Sequence, residues 1–463
     1  MKYVSIQEKA KEWQISERQV QYYCRQMKIE GALKQSGVWL VPKGASKPCH
    51  QKSKAKHLRL LSLFSGCGGL DLGFEGHFDI FKSQYNSRIH PDWEVENIGD
   101  KWIRLPKTRF STVFANDIKP DAQTAWSEFF TDRDQVYCLD SIVDLVKLHK
   151  NNKITIFPDN IDIVTGGFPC QDFSVAGKRL GFNSGKSHTG ISSEIGEPTS
   201  ENRGNLYMWM REVVSITEPK LFVAENVKGL TNLGDAKQII ESDFANISND
   251  GYFVFPARVL MAADYGVSQS RERVIFFGVK KSSLLPGILS KLENLEANID
   301  LDPYPEITHS KEYVPSLLPY IRLREILCDL DEPEFSNDPD QQKYSKAKYM
   351  GNHCQGQIEI NLDSIGPTIR AEHHGNIEFR RLSENHGGKN HDELSKGLKE
   401  RRLTIRECAR IQSFPDNYQF YRGGKDGVSA THAYKLIGNA VPPLLGFHIA
   451  KRIEKLWPIY FGE

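Results

Sequence analysis

Residues 58–71 read LRLLSLFSGCGGLD. A short apolar run ends at Phe64, and Ser65-Gly66-Cys67-Gly68-Gly69 follows before Leu70 and Asp71. Glycines let a backbone turn sharply and let a ligand approach it closely. The pattern predicts a strand, a tight turn and a helix. A dinucleotide fingerprint would place a third glycine at position 71, where Asp71 stands, so a nicotinamide or flavin site is disfavoured.

Working outward, with Leu58–Phe64 as the leading strand, four more short apolar runs appear: Thr112–Asn116 (TVFAN), Ile161–Thr165 (IDIVT), Leu221–Ala224 (LFVA) and Val274–Gly278 (VIFFG). Helical or irregular text separates them. Fully apolar strands joined by crossovers predict a parallel sheet covered on both faces. Such sheets bind ligands at the carboxyl ends of their strands. Chemistry-bearing residues fall at those ends: Asp117 in Asn116-Asp117-Ile118, Asp140 in Cys138-Leu139-Asp140, Cys170 in Phe168-Pro169-Cys170-Gln171, and Glu225 in Glu225-Asn226-Val227. Just before the last strand stands Gln269-Ser270-Arg271-Glu272-Arg273, whose two arginines share one side if the segment is extended. A glycine turn with acids at successive strand ends reads as a nucleoside site. Without a Walker lysine, S-adenosylmethionine suits it better than ATP. Taken singly, each acid has a plainer reading as a helix cap, and Cys170 has one as a packed thiol; the series decides.

The 463 residues, 39% hydrophobic and 26% charged, suit a soluble protein of two to three domains. No apolar run approaches membrane-spanning length, and the amphipathic start is not a signal peptide. The eight cysteines show no CxxC spacing, which argues against a zinc site or a disulfide framework. Net charge is +1, yet residues 1–60 carry thirteen Lys and Arg against four Glu, a net of +9. A basic head on an acidic body points to a polyanion partner. Within the head, Ser5 and Glu8 fit a capping box, residues Ser16–Met27 a second helix, and GALKQSGVWLVPK two strands around Ser36-Gly37. Residues 3–48 resemble the excisionase-like winged-helix DNA-binding module.

The body resembles the bacterial cytosine-C5 DNA methyltransferases of restriction-modification systems. FSGCGG, NDI, DSI, GGFPCQDFS, RGNL, ENV, QSRER, RRLTIRECARIQSFPD and GNAVPP stand in the family's order across residues 58–282 and 402–455. The resemblance implies a Rossmann-like α/β fold with a mixed seven-stranded sheet and a smaller target recognition domain. It divides the chain into a winged helix-turn-helix (1–48), a basic linker (49–57), a catalytic domain (58–282), a target recognition domain (283–400) and a C-terminal part of the catalytic domain (401–463), which closes on a helix, Pro443–Lys455. It implies S-adenosylmethionine as cofactor, S-adenosylhomocysteine as product and no metal. Phe64, Gly66, Gly68, Asp117, Ile118, Asp140, Leu206 and Asn439 would contact that cofactor. Cys170 would be the nucleophile in a loop shaped by Pro169 and Gln171. Glu225, Arg271 and Arg273 would hold the target cytosine, with Asn226 and Gln269 beside them. Arg402–Pro415 would brace the recognition domain, and the Gly/Ser-rich stretch Gly177–Gly204 would close over DNA.

The chemistry accounts for these residue types. C5 of cytosine is a poor nucleophile until a thiolate adds to C6, and a carboxyl group at N3 can neutralise the charge that addition creates. The base must leave the duplex to be reached. Double-stranded DNA is the expected partner, with a restriction endonuclease as functional counterpart but no stable complex. A cytoplasmic, bacterial or phage-encoded monomer is expected. Two departures from the family stand out. Asp117 replaces the usual glutamate, and an extra segment, Phe81–Phe110, holds Trp93 and Trp102 without an assigned role. Two alternatives remain open on sequence: cytosine methylation of tRNA, and a DNA-binding regulator with an inactive catalytic domain.

Overall fold

The computed structural model describes residues 2–13, 17, 20, 21, 24, 29, 31–35, 38–45, 57–131, 133, 135–152, 155–169, 206–232, 235–248, 250–351, 353–371, 375–424 and 427–463. Two compact units divide between Lys56 and His57.

The N-terminal unit joins β1 (Tyr3–Ser5), helix α1 (Ile6–Trp13), β2 (Leu33–Gln35) and β3 (Val38–Pro42), with the strands in the order β1-β3-β2. Ser5 and Glu8 form the expected reciprocal cap: the Glu8 amide donates to Ser5 Oγ at 3.2 Å and the Ser5 amide donates to Glu8 Oε2 at 3.1 Å. β2 and β3 pair antiparallel on either side of residues 36–37. Ile6, Ala10, Trp13, Val20, Cys24, Ile29 and Val41 make its core. Lys9 is fully buried, and its ammonium donates to Glu12 and to the Lys43 and Ala45 carbonyls at 2.8–2.9 Å. Of the expected helix at 16–27, the described residues 17, 20, 21 and 24 are helical; Arg18, Arg25 and Lys28 lie outside the described residues.

The larger unit is built on β4 (Leu58–Leu63), β5 (Asp79–Phe81), β6 (Glu96–Asn97), β7 (Trp102–Arg104), β8 (Phe110–Asn116), β9 (Tyr137–Cys138), β10 (Ile163–Gly167), β11 (Leu221–Val227), β12 (Tyr252–Val254), β13 (Arg258–Met261) and β14 (Glu272–Lys280). Its helices include α2 (Gly69–Glu75), α3 (Pro120–Phe129), α4 (Ile142–Asn152), α5 (Leu206–Thr217), α6 (Ala236–Ala245), α7 (Ile405–Ile411), α8 (Ala430–Asn439) and α9 (Pro443–Phe461). The main sheet runs β12-β14-β11-β10-β4-β8-β9. β9, β8, β4, β10 and β11 are parallel, and β14 is antiparallel to β11. An eighth strand, β13, also pairs with β14, so the sheet has one strand more than expected: β14 is nine residues long and accommodates both short strands on one edge.

The apolar runs are explained by two-sided burial. Leu60, Ile163, Val223 and Phe277 enter the core beneath α9, whereas Leu61, Val164, Phe222 and Phe276 face the core that includes Val143, Met210 and Phe244. Neighbouring residues point to opposite faces of a strand, and both faces are covered. The strands extend beyond the apolar letters. β10 continues through Gly166 and Gly167, and β11 through Glu225 to Val227. β4 stops at Leu63, because Phe64 takes a left-handed backbone with φ +53°. α9 runs six residues past the expected Lys455.

Residues 283–400 contain short elements held by polar contacts. Phe379–Arg381 pairs antiparallel with Arg401–Arg402, bridging the expected 400/401 division. Glu332 binds both Arg381 and Arg401, and Glu407 binds Arg401 at 2.8 Å. Arg402 donates to the carbonyls of Ala347, Gly356 and Ile377. These buried guanidinium–carboxylate contacts lie alongside apolar residues of the same region, among them Leu323, Ile326, Leu362 and Ile369, that join the main core.

Candidate active site

The turn after β4 is held at every peptide. The Ser65 amide donates to the Asn116 carbonyl at 2.9 Å, and the Gly66 amide donates to Asp117 Oδ2 at 3.1 Å. Tyr137 Oη donates to the Gly66 carbonyl at 2.9 Å, and Tyr418 Oη donates to that of Cys67. Gly68 has φ +78°, and a Cβ there would lie 2.6 Å from Trp126 Cδ1. Trp126 is placed by Asp71, whose buried carboxylate accepts from Trp126 Nε1 at 2.8 Å and from Ser62 Oγ at 2.5 Å. Burial pushes the Asp71 carboxyl up to about 6, against the pull of those two hydrogen bonds. Asp71 therefore sits beneath the turn as its support.

On the open side, a Cβ added at Gly66 would meet nothing within 4 Å. Beside it, Asp117 Oδ1 accepts from the Ile118 and Lys119 amides at 2.8 and 3.1 Å, and burial raises its carboxyl. Asn116 Nδ2 fixes the Asp140 carbonyl at 2.8 Å. Ile118, Asp140 and Asn439 are exposed, Phe64 and Gly66 are half-buried, and Leu206 is buried in the core. Apolar surface next to carboxylates, over a turn stripped of side chains, fits an adenosine-bearing ligand such as S-adenosylmethionine.

The second part of the site lies where β10 and β11 end and the antiparallel β14 begins. Val227 is paired with Arg273 and Glu225 with Ile275, so Glu225 and Arg273 are diagonal neighbours on one face. Arg273 Nε meets Glu225 Oε1 at 2.7 Å, with both side chains about 10% exposed. Burial raises the Glu225 carboxyl, and Arg273 and Arg271 oppose that rise. Gly167 makes room: a Cβ there would be 2.9 Å from Glu225 Oε2. Asn226 Nδ2 donates to the Phe168 carbonyl at 3.2 Å and so ties β11 to the segment entering Pro169. Cys170, Gln171 and the expected closing stretch at 177–204 lie outside the described residues.

The two arginines divide their work. Arg271 is fully buried, and its terminal nitrogens donate to the carbonyls of Ile369 (3.0 Å), Gly438 (2.8 Å) and Ala440 (2.7 Å). Gln269 is likewise buried: its Nε2 donates to Gln412 Oε1 at 2.5 Å, and its Oε1 accepts from the Ile369 amide at 3.1 Å. Arg271 nonetheless acts electrostatically on Glu225 alongside Arg273, while its hydrogen bonds go to other partners. Trp126, Tyr137, Tyr418 and Gly167 are not singled out by sequence, and Asp71 reads there only as disfavouring a dinucleotide turn. Only the double glycine before Phe168 gave a signal, and it points to the crowding by Glu225.

A family model described as C-5 cytosine-specific DNA methylase matches residues 58–455. The chain belongs to that family. As a C-5 cytosine-specific DNA methylase, it is a methyltransferase enzyme acting on DNA cytosine. It is 33% identical over 433 residues to the Type II methyltransferase M.BspRI of Lysinibacillus sphaericus, covering 89% of this chain and 84% of that protein. It is 32% identical over 428 residues to the Type II methyltransferase M.BsuRI of Bacillus subtilis, covering 88% and 81%. The structure of the S. pombe Dnmt2 methyltransferase shares its fold, with a TM-score of 0.50 at 16% identity over 87% of this chain and 99% of that one. No helix among the described residues is long and apolar enough to cross a membrane.

Proposed function

We propose that the chain methylates C5 of a cytosine flipped out of a specific duplex sequence, with Cys170 as the attacking thiolate. The observation that carries this reading is the Glu225–Arg273 ion pair, set beside Gly167 on the strand that leads into Pro169 and Cys170. Thiolate addition to C6 places negative charge on the ring. Glu225, raised by burial, is suited to protonate or neutralise N3, and Arg273 holds that carboxyl in place. The carbon–sulfur bond makes C5 enamine-like. S-adenosylmethionine, which the residues around Gly66 would hold, would supply the methyl group to C5 and leave as S-adenosylhomocysteine. A base then takes the C5 proton, and the C6–S bond breaks with its electrons on the Cys170 sulfur, which restores the ring and the enzyme.

Phe64, Gly66, Gly68, Asp117, Ile118, Asp140 and Asn439 are read as the cofactor's surroundings, with Leu206 contributing from the start of α5. Arg271 and Gln269 are read as frame residues, because their hydrogen bonds go to the segment entering residues 368–376 and to the end of α8. Residues 283–400 are assigned to target recognition. Residues 1–48 are assigned to a winged helix-turn-helix that adds DNA affinity. The Type II names of the relatives support a role in restriction-modification, with the chain acting as a monomer that protects sites from an endonuclease it does not stably bind.

The test is expression in a methylation-free host, followed by sequencing of methylated cytosines and a parallel measurement of methyl incorporation into tRNA. Methylation of one DNA sequence supports the reading. Incorporation into tRNA alone, or into neither, overturns it.

A further inference from the structure

The segment 81–110 lacks a role in the reaction, yet its polar side chains converge on two functional regions. It carries β6 and β7, which with β5 make a small antiparallel sheet outside the main one. Asp79 and Arg104 lock β5 to β7 through bonds of 2.7 and 3.2 Å. The segment is anchored on α9: Trp93 lies edge-on to Phe447 at 4.9 Å, and His90 stacks on Trp93 at 4.1 Å.

From that anchor, Gln84 Nε2 donates to the Gly266 carbonyl at 3.0 Å, while its Oε1 accepts from the Phe81 amide at 3.0 Å. Gly266 has φ +82°, and a Cβ there would sit 2.6 Å from the Gln84 carbonyl oxygen. The glycine thus admits this close approach. Seven residues further stands Arg273.

The second contact is Asn86. It is 2% exposed, and its Nδ2 donates to the carbonyls of Thr308 at 2.8 Å and Ser316 at 3.0 Å. Its Oδ1 accepts from the Arg88 amide at 3.0 Å, which fixes the orientation of the amide. Arg88 adds a bond to the Pro315 carbonyl at 3.1 Å, and His309 Nε2 lies 3.1 Å from the Ser83 carbonyl. These bonds close residues 308–316 into a loop. The chain continues to Ile321, whose carbonyl accepts from Ser268 Oγ at 2.6 Å, and then into the arginine-rich region. A third contact reaches the same frame: Arg410 lies 5.3 Å from the rings of both Phe81 and Trp102, and donates to the Ile326 carbonyl at 2.8 Å.

We propose that residues 81–110 form a strut that fixes the turn before Arg273 relative to the chain entering the recognition region, with Gln84 and Asn86 as its positioning residues. The inference rests on reading Glu225–Arg273 as the base pocket. A stabilising patch alone would need neither an amide spanning two carbonyls of one loop nor a glycine admitting contact at the lead-in to the pocket. Buried amides of this kind are costly when left unbonded, and here the nitrogen and oxygen of both side chains are bonded.

The test compares wild-type protein with Asn86→Ala on duplexes carrying the methylated site found by sequencing and on single-base-pair variants of it. A misplacement of reacting groups by about 1 Å costs up to about 10²-fold, so Asn86→Ala is expected to raise the KM for DNA by about tenfold or more. The ratio of kcat/KM for the true site over the variants should fall by a similar factor, with S-adenosylmethionine affinity within about twofold of wild type. Arg88→Ala removes one exposed tether. It should move both quantities the same way by about threefold, and it serves if Asn86→Ala does not fold. Unchanged KM and discrimination in folded variants, with only a lower Tm, would overturn the strut. Failure of the base-pocket reading is separately visible, as full activity of Glu225→Gln.

Discussion

Arg273 Nε lies 2.7 Å from Glu225 Oε1, across two antiparallel strands whose register makes the residues diagonal neighbours. Burial favours the neutral form of the Glu225 carboxyl, and the guanidinium facing it opposes that shift. Glu225→Gln should keep the pocket's shape and its DNA affinity while lowering kcat. Loss of one group that neutralises transition-state charge costs about 10²–10³-fold. Steady-state kinetics on a duplex substrate decide this: a change confined to KM would mean that Glu225 only binds.

The two glycines of the cofactor turn should fail differently. Both have positive φ, so alanine at either costs about 1–2 kcal/mol of backbone strain. At Gly68 the new Cβ also strikes Trp126, whereas at Gly66 it enters open space. Gly68→Ala should therefore lower Tm more. Gly66→Ala should leave the fold largely intact yet weaken S-adenosylmethionine binding, because that open space is the one proposed for the ligand. Thermal melts with cofactor titrations of both variants check the contrast.

Asp71 makes stability depend on pH in a definite direction. Its carboxyl is raised to about 6 in the folded chain from an ordinary 3.8. The folded state holds the proton more tightly, so stability present below pH 3.8 is lost as pH rises through about 6. Asp71→Asn lacks this loss. Its stability relative to wild type should improve between pH 4 and pH 7, by on the order of 3 kcal/mol. Denaturant unfolding of both proteins at several pH values measures this, and a difference independent of pH would place the Asp71 charge elsewhere than beneath the turn.

Deleting residues 1–48 should leave the methylated sequence unchanged while weakening DNA binding and flattening its salt dependence. Basic residues that neutralise phosphates contribute affinity through counterion release, and linked modules raise effective concentration. Methylation sequencing of the truncated chain, with binding titrations at several salt concentrations, is the check. A changed target would give the head a part in specificity.

Much of the catalytic frame is legible because its strands are buried on both faces and their ends carry the chemistry. Leu60 and Leu61 serve opposite cores, which is why the runs are continuously apolar. Strand limits are less legible: Gly166, Gly167, Glu225 and Asn226 read as turn or site, yet they pair in register as strand. Arg271 resembles Arg273 in sequence, and only the tertiary structure shows that Arg271 donates to the carbonyls of Ile369, Gly438 and Ala440. The polar text of 283–400 hides buried arginine–carboxylate bonds beside apolar side chains such as Leu323, Ile326 and Ile369, and hydropathy does not reveal those bonds. The head's charge overstates what it offers a partner, because Lys9 is spent inside the unit.

The account stands on Cys170 forming a bond to the target base. The most direct measurement is incubation of the protein with a duplex carrying 5-fluorocytosine at its methylation site, with and without S-adenosylmethionine, followed by denaturing electrophoresis and mass spectrometry. Fluorine cannot leave C5 as a proton does, so the methylated adduct should persist and the DNA should map to Cys170. Cys170→Ala should form none, while still binding S-adenosylmethionine. No cofactor-dependent adduct from protein that methylates ordinary DNA, or an adduct that persists in Cys170→Ala, would contradict the account.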